Sequence, residues 1–200
     1  MAHDIDDIAR VLVRLAAGSS DFDLNADSVR PTAPVLRPAA VLVALASRPS
    51  GLSVILTKRA SHLAHHPGQI SFPGGKVEAG DPSPAAAALR EAQEEIGLNP
   101  ATVTILGHMP DHETVTGFRM TPVVGVVQDA PILHIDRAEV AEAFFVPFAF
   151  LRNLTHYRIE SRQWRGQPRY FYTCPYGPYY IWGATARVLY ALARGLSDED

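Results

Sequence analysis

The sequence predicts a single-domain α/β fold, and three observations predict it. Apolar runs of strand length, such as residues 39–46 and 52–57, alternate with segments whose apolar residues recur every three or four positions. At 200 residues the chain is one ordinary domain long and can bury a core without disulfide or metal staples. Its 47% hydrophobic and 20% charged residues match a globular domain and argue against disorder or a coiled coil.

Taken in order, Ile5, Ile8, Val11, Leu12 and Leu15 lie at helical intervals, with the acidic Asp4, Asp6 and Asp7 suited to a helix N-terminus. An amphipathic helix is expected over 5–17. Residues 18–38 carry Pro31, Pro34 and Pro38 among Ser, Asp and Asn and read as an irregular connector, so residues 1–37 form helix and connector ahead of a body over 38–200. Strands over 39–46 and 52–57 flank the turn residues Pro49, Ser50 and Gly51 as a hairpin. A histidine-containing loop then leads to Phe72-Pro73-Gly74-Gly75 and a helix over 83–96 that Gly97 closes. Strand-like composition at 103–109, 122–127, 143–146, 156–159 and 170–173 is expected to enlarge the sheet. A last helix over 181–194, apolar at Ile181, Val188, Leu189 and Leu192, is expected to cover one sheet face.

Composition also excludes partners. Eighteen Lys and Arg against 21 Asp and Glu leave a net charge of −3, which gives no broad attraction to nucleic acid or anionic lipid; an anionic ligand must be held locally. The longest apolar run, 39–46, is too short to cross a bilayer. The single Cys174 cannot form an internal disulfide, and Met1-Ala2-His3-Asp4 lacks the features of a secretion signal, so a cytoplasmic location is expected.

The strongest chemical signal is the segment from Leu89 to Gly97. Glu91, Glu94 and Glu95 stand at i, i+3 and i+4 and share about a third of the helix circumference, while Leu89, Ala92 and Ile96 project elsewhere and can pack on a sheet. Three like charges so placed repel, and a divalent cation would remove that repulsion. Oxygen-only ligands favour Mg²⁺, Mn²⁺ or Ca²⁺ over zinc, and Mg²⁺ is commonly shared between carboxylates and a substrate's phosphates. The alternative is a solvated acidic face on which Arg90 pairs with Glu94. Fifteen residues before Arg90, Gly74-Gly75 allows a close approach that a side chain would forbid, although a plain turn has the same composition.

Together, Gly75, fourteen intervening residues and Arg90-Glu91-Ala92-Gln93-Glu94-Glu95-Ile96-Gly97-Leu98 resemble the Nudix box, G-x5-E-x7-R-E-U-x-E-E-x-G-U with U aliphatic. The second half matches throughout. The first half is one residue longer, because Asp81 stands where the first Glu is counted and eight residues separate it from Arg90. A similar extra residue accompanies the branch that resembles coenzyme A pyrophosphatases, whose upstream pattern is L-L-T-x-R-S-x-x-L-R-x-x-x-G-Q-V-x-F-P-G-G-x-x-D. Here Leu56, Thr57, Arg59, Leu63, Gly68, Gln69, Phe72, Pro73, Gly74 and Gly75 match it. Ile55, Ile70 and Glu78 depart conservatively, and Ala60 and Ala64 replace a Ser and an Arg, the latter removing a bidentate phosphate ligand.

This resemblance implies an α/β/α sandwich with a mixed β-sheet over residues 38–200 and Mg²⁺- or Mn²⁺-dependent hydrolysis of a nucleoside diphosphate derivative. Coenzyme A is the expected substrate, with ADP-ribose or another nucleotide derivative, or a sensing module that does not cleave, as alternatives. It implies Glu91, Glu94, Glu95 and the Gly75 carbonyl as metal ligands, with Glu94, Glu95 and Arg90 as catalytic residues and Arg90 orienting carboxylates. Arg59, Gln69, Phe72 and Gly74 are the expected substrate contacts. The general base is a box glutamate, with Glu113, Glu139 and Glu142 as alternatives, Glu142 also reading as a distant ligand or a helix-surface charge. His62, His65 and His66 lack a fourth ligand and read as solvated, so no zinc is expected. Tyr170, Tyr172, Tyr176, Tyr179, Tyr180 and Trp182 suit core packing, an adenine stack or a homodimer interface. Cys174 reads as a bystander thiol.

Overall fold

Side chains alternate across a strand, so one wholly apolar strand can serve two cores at once. The computed structural model, which describes residues 2–25, 35–128, 131–164 and 166–198, is built on that device. Its elements run α1 (Ala2–Arg14), β1 (Ser19–Ser20), β2 (Arg37–Arg48), β3 (Gly51–Arg59), β4 (Ile70–Ser71), β5 (Gly74–Lys76), α2 (Pro84–Ile96), β6 (Val103–His108) and β7 (His112–Glu113). They continue with β8 (Phe118–Val127), β9 (Val140–Pro147), α3 (Phe148–Arg152), β10 (Arg158–Trp164), β11 (Gln167–Thr173) and α4 (Ala184–Ser197).

β2 is the central strand. Val41, Val43 and Leu45 point into a core shared with Ile8 and Val11 of α1, Leu151 of α3 and Val188 and Leu192 of α4. Ala40, Leu42, Ala44 and Ala46 point the other way, against Ala87, Ala88, Ala92 and Ile96 of α2. Fully burying a side chain such as Leu42 or Ile96 contributes about 1.5–3 kcal/mol. Helices therefore cover both faces of a mixed sheet, the expected α/β/α sandwich.

Register places the site. β2 runs parallel to β8 from Arg37↔Phe118 to Ala46↔Val127. Its other edge is divided: the C-terminal half pairs with β3, Leu45 opposite Val54, and the N-terminal half pairs with β5, Val41 opposite Gly74 and Ala40 opposite Gly75. The glycine pair is thus stitched to the sheet on the edge beside α2. β3 continues to β9 and β4, β8 carries β6 and β7, and β1 pairs in parallel with β7.

Several expectations change. Strands at 156–159 and 170–173 do not enlarge the sheet: β10 and β11 form a separate antiparallel pair, Arg158 opposite Thr173. Polar, exposed residues dominate β10, which leaves it little apolar surface to bury in a larger sheet. The first helix covers Ala2–Arg14 rather than 5–17, and the last starts at Ala184 after Gly183 rather than at Ile181. Glu142 sits on a strand, β9, and not on a helix. Pro31 and Pro34 of the expected connector lie outside the described residues. Among those described, no helix is long and apolar enough to cross a membrane.

Candidate functional site

α2 starts where Ser83 accepts a hydrogen bond from the Ala86 N–H at 3.1 Å, with Pro84 in the first turn, and ends at the left-handed Gly97, whose N–H closes on Gln93 O. Its buried face of Ala87, Ala88 and Ala92 is small, so the helix lies close to the sheet. The carboxylates then differ by depth. Glu95 is 5% exposed, the Glu91 side chain 16% and the Glu94 side chain 59%.

Gly74 and Gly75 meet this face. The Gly74 N–H donates to Glu95 Oε2 at 3.2 Å, which joins β5 to α2. A Cβ on Gly75 would stand 2.5 Å from Glu91 Cδ and 2.7 Å from Oε2, so the absent side chain is the space the Glu91 carboxylate fills. Arg90 clamps the same region. Its guanidinium takes Asp81 in two hydrogen bonds of 3.1 and 3.0 Å and donates to Lys76 O, Glu91 Oε1 and Glu94 Oε2 at 3.1, 3.2 and 2.9 Å. The hydrogen bond to Asp81 raises the arginine's already high pKa, and that bond holds the Asp81 carboxyl below its usual range. Asp81, displaced by one position in the sequence pattern, is thus the anchor of the Arg90 clamp.

Burial pushes the Glu95 carboxyl up to about 8. The Gly74 N–H and Arg59 pull it down, while Glu91 and Glu139 push it further up. Burial likewise raises Glu91, against the pull of Arg90 and with the push of Glu94 and Glu139. Four carboxylates, Glu91, Glu94, Glu95 and Glu139, therefore share one field, with Arg90 and Arg59 as its cations. Among the described residues no three His, Cys, Asp or Glu side chains are grouped as a metal would need, and Arg90 pairs with both Glu91 and Glu94. The donor set is nonetheless all oxygen and short of positive charge at Glu95, which fits a hard divalent cation held by Glu91, Glu95 and the adjacent Gly75 backbone.

The remaining expected residues divide. Arg59 ends β3, its N–H on Gln69 O at 3.0 Å, and its charge reaches Glu95. Gln69 lines a cavity described below. Phe72, expected as a substrate contact, is 2% exposed and packs in the core. Of the glutamates outside α2, Glu139 acts on Glu91 and Glu95, carried there by a turn in which the Asp136 N–H bonds Glu95 O. Glu142 accepts the Tyr179 hydroxyl at 2.5 Å, and Glu113 lies on β7. His62 bonds Ala138 O, and His65 and His66 are exposed. Tyr179 stacks on Phe144 at 3.6 Å between ring centroids.

Two features escape the sequence reading. Buried His112 lies 2.9 Å from Ser19 Oγ and 3.2 Å from Asp21 Oδ1, fastening β1 to β7. A cavity of about 380 Å³ lies between β10, β11 and the start of α4, lined by Arg162, Arg169, Arg187, Trp164 and Trp182 among others. Its lining does not include the α2 carboxylates; Gln69 belongs to it, five residues before Gly74. The alternation of Arg162 and Trp164, with Arg169 opposite Arg162, was a readable signal for one face of a hairpin, while Arg187 is brought in by the fold alone.

Residues 36–165 match the family model described as NUDIX domain. The chain belongs to the Nudix family. A Nudix hydrolase NudL of Enterobacter sp. strain 638 is 43% identical over 157 residues, 78% of this chain and 81% of that protein. A NudL of Cronobacter sakazakii is 40% identical over 163 residues, 82% of this chain and 84% of that one. Among solved structures, the Nudix hydrolase RenU of M. smegmatis is 25% identical with a TM-score of 0.49, covering 56% of this chain and 71% of its own. The matched residues of this Nudix chain include Gly75, all of α2 and all of β10, and end before β11 and α4.

Proposed function

We propose that this Nudix protein hydrolyses the diphosphate link of coenzyme A or a derivative, giving phosphopantetheine and adenosine 3′,5′-bisphosphate, with Mg²⁺ or Mn²⁺ as cofactor. The observation that carries this reading is the hydrogen bond from Gly74 to Glu95. It ties the segment resembling the coenzyme A pattern, Gln69 to Gly75, to the carboxylate face of α2.

Glu91 and Glu95 would hold the ion with the Gly75 carbonyl, and Glu94 would join them on release from Arg90. When bound, the divalent ion screens the diphosphate's charge and acidifies a water. Arg90 fixes the carboxylates, holding Glu91 and Glu94 from one guanidinium. Arg59 offers a forked cation to a phosphate oxygen. A carboxylate takes the proton of the attacking water: Glu94 is the candidate within the box, and Glu139, whose charge acts on Glu91 and Glu95, is the candidate outside it. Glu94→Gln and Glu139→Gln separate them, since the base's loss lowers kcat with KM preserved.

A second reading, hydrolysis of ADP-ribose or another nucleoside diphosphate derivative, is favoured by Ala60 and Ala64, which stand where the coenzyme A pattern has Ser and Arg. A sensing module that does not cleave is disfavoured by the intact Glu91, Glu94 and Glu95. Incubation with coenzyme A, ADP-ribose, NADH and nucleotides, with and without Mg²⁺ or Mn²⁺, decides among them. Coenzyme A turnover that chelation abolishes supports the proposal. Cleavage of ADP-ribose alone removes the substrate assignment, and no cleavage at all removes the enzyme.

A further inference from the structure

The cavity beside β10 and β11 has a composition at odds with the rest of the chain. The whole sequence carries −3. The cavity lining holds Arg162, Arg169 and Arg187 against a single lining acid, Asp21, which lies 3.7 Å from Arg169, and Asp23 just outside the lining answers Arg187. Arg162 and Arg169 are directly opposite in the β10–β11 register, so both guanidinium groups leave the same face of the hairpin. Like charges so paired destabilise a hairpin unless an anion sits between them.

The arginines are also preorganised. Arg169 Cζ lies 4.9 Å from the Trp164 ring centroid, Arg162 Cζ 5.6 Å from Trp182 and Arg187 Cζ 5.5 Å from Tyr172, so each guanidinium has an aromatic ring within cation–π range. Arg187 Nη2 reaches Asp23 Oδ2 at 3.3 Å, and its Nε is buried with no hydrogen-bond partner among the described residues. A buried donor of this kind is costly to leave unmade. The N-terminus of α4, where Gly183 and Ala184 line the same cavity, has no side-chain cap and adds donors suited to a phosphate. A cavity of about 380 Å³ is within the range of small-molecule sites.

We propose that this cavity takes the phosphorylated nucleoside end of the substrate, its arginines on a phosphomonoester outside the diphosphate and its tryptophans against the base. The proposal rests on the hydrolase reading above and sharpens it, because ADP-ribose has no such phosphomonoester. Gln69 in the cavity wall and Gly74 on Glu95 belong to one short segment of chain, which connects the cavity to the carboxylate face.

Trp164 and Trp182 are the only two tryptophans of the chain and both line the cavity, so intrinsic fluorescence reports on this place. The full-length protein is titrated with adenosine 3′,5′-bisphosphate and with AMP while tryptophan emission is followed. A saturable change is expected, with the bisphosphate bound at least about tenfold more tightly, the factor one charge-assisted contact supplies. Arg162→Gln and Arg187→Gln, checked for folding by circular dichroism, should bring the two affinities within about threefold of each other. Equal affinities in the wild type, unchanged emission, or variants that keep the full preference would overturn the proposal. Hydrolysis is measured separately on the same samples. Coenzyme A turnover without any emission change sinks the cavity and leaves the hydrolase, whereas the phosphate-dependent emission change without turnover of any substrate leaves the cavity and sinks the hydrolase.

Discussion

Gly75→Ala is the sharpest perturbation available to the carboxylate face. The backbone there is not in the left-handed region, so alanine is free of conformational strain. Its Cβ, however, would stand 2.5 Å from Glu91 Cδ, where ordinary contact begins at 3.4 Å, so the carboxylate must retreat by about 0.9 Å. The Glu91 side chain is not fully enclosed and can swing aside, which keeps the expected stability loss below about 1 kcal/mol. Catalysis is less forgiving: a misplacement of about 1 Å can lower a rate about a hundredfold, about 2.7 kcal/mol of barrier. The assay is coenzyme A hydrolysis over a Mg²⁺ titration, with thermal unfolding in parallel. Gly80→Ala is the control, since nothing lies within 4 Å of a Cβ there and the residue sits in the loop that follows β5. If Gly75→Ala turns over within twofold of wild type, the placement of Glu91 against Gly75 has no part in the reaction.

Three further outcomes are expected. Burial pushes Asp21 up, but the His112 hydrogen bond and charge, the Val115 N–H and Arg169 outweigh it and leave its pKa below 3.8. A depressed carboxylate stabilises the fold above its unfolded pKa and loses that contribution as pH falls through the lower folded value; Asp21→Asn should therefore be about 1–3 kcal/mol less stable in urea at pH 7, and the gap should shrink below about pH 4. Cys174 is buried and its thiol is pushed up to about 11 by burial, so alkylation at pH 8 should be slow in the native protein and rapid in denaturant. Ser83→Ala removes the α2 cap, about 1 kcal/mol, and should lower the thermal midpoint by about 2–4 °C.

The layers were legible because their residues obey local rules. The hairpin of β2 and β3 and the bounds of α2, from Ser83 to Gly97, follow from apolar alternation, turn residues and caps, and the structure keeps them to within a few residues. β10 and β11 were legible as strands and not in their placement, since strand propensity says nothing about which sheet a strand joins. The carboxylate face could be read from spacing, but its ranking could not. Glu91, Glu94 and Glu95 look equivalent in sequence, and only the fold buries Glu95, wedges Glu91 against Gly75 and ties Glu94 to Arg90. Phe72 lay inside a matching motif and proved to be core. Glu139 and the arginine cavity depend on contacts between residues distant in the chain, which spacing does not encode.

The central claim is that the carboxylate face of α2 drives diphosphate cleavage. Single-turnover reactions of wild type and Glu95→Gln with coenzyme A at saturating Mg²⁺, with products separated by anion exchange, test it most directly. The account predicts phosphopantetheine and adenosine 3′,5′-bisphosphate in equal amounts from the wild type, and a rate at least about a hundredfold lower in a variant whose thermal midpoint is not reduced. Equal rates from the two proteins would contradict it.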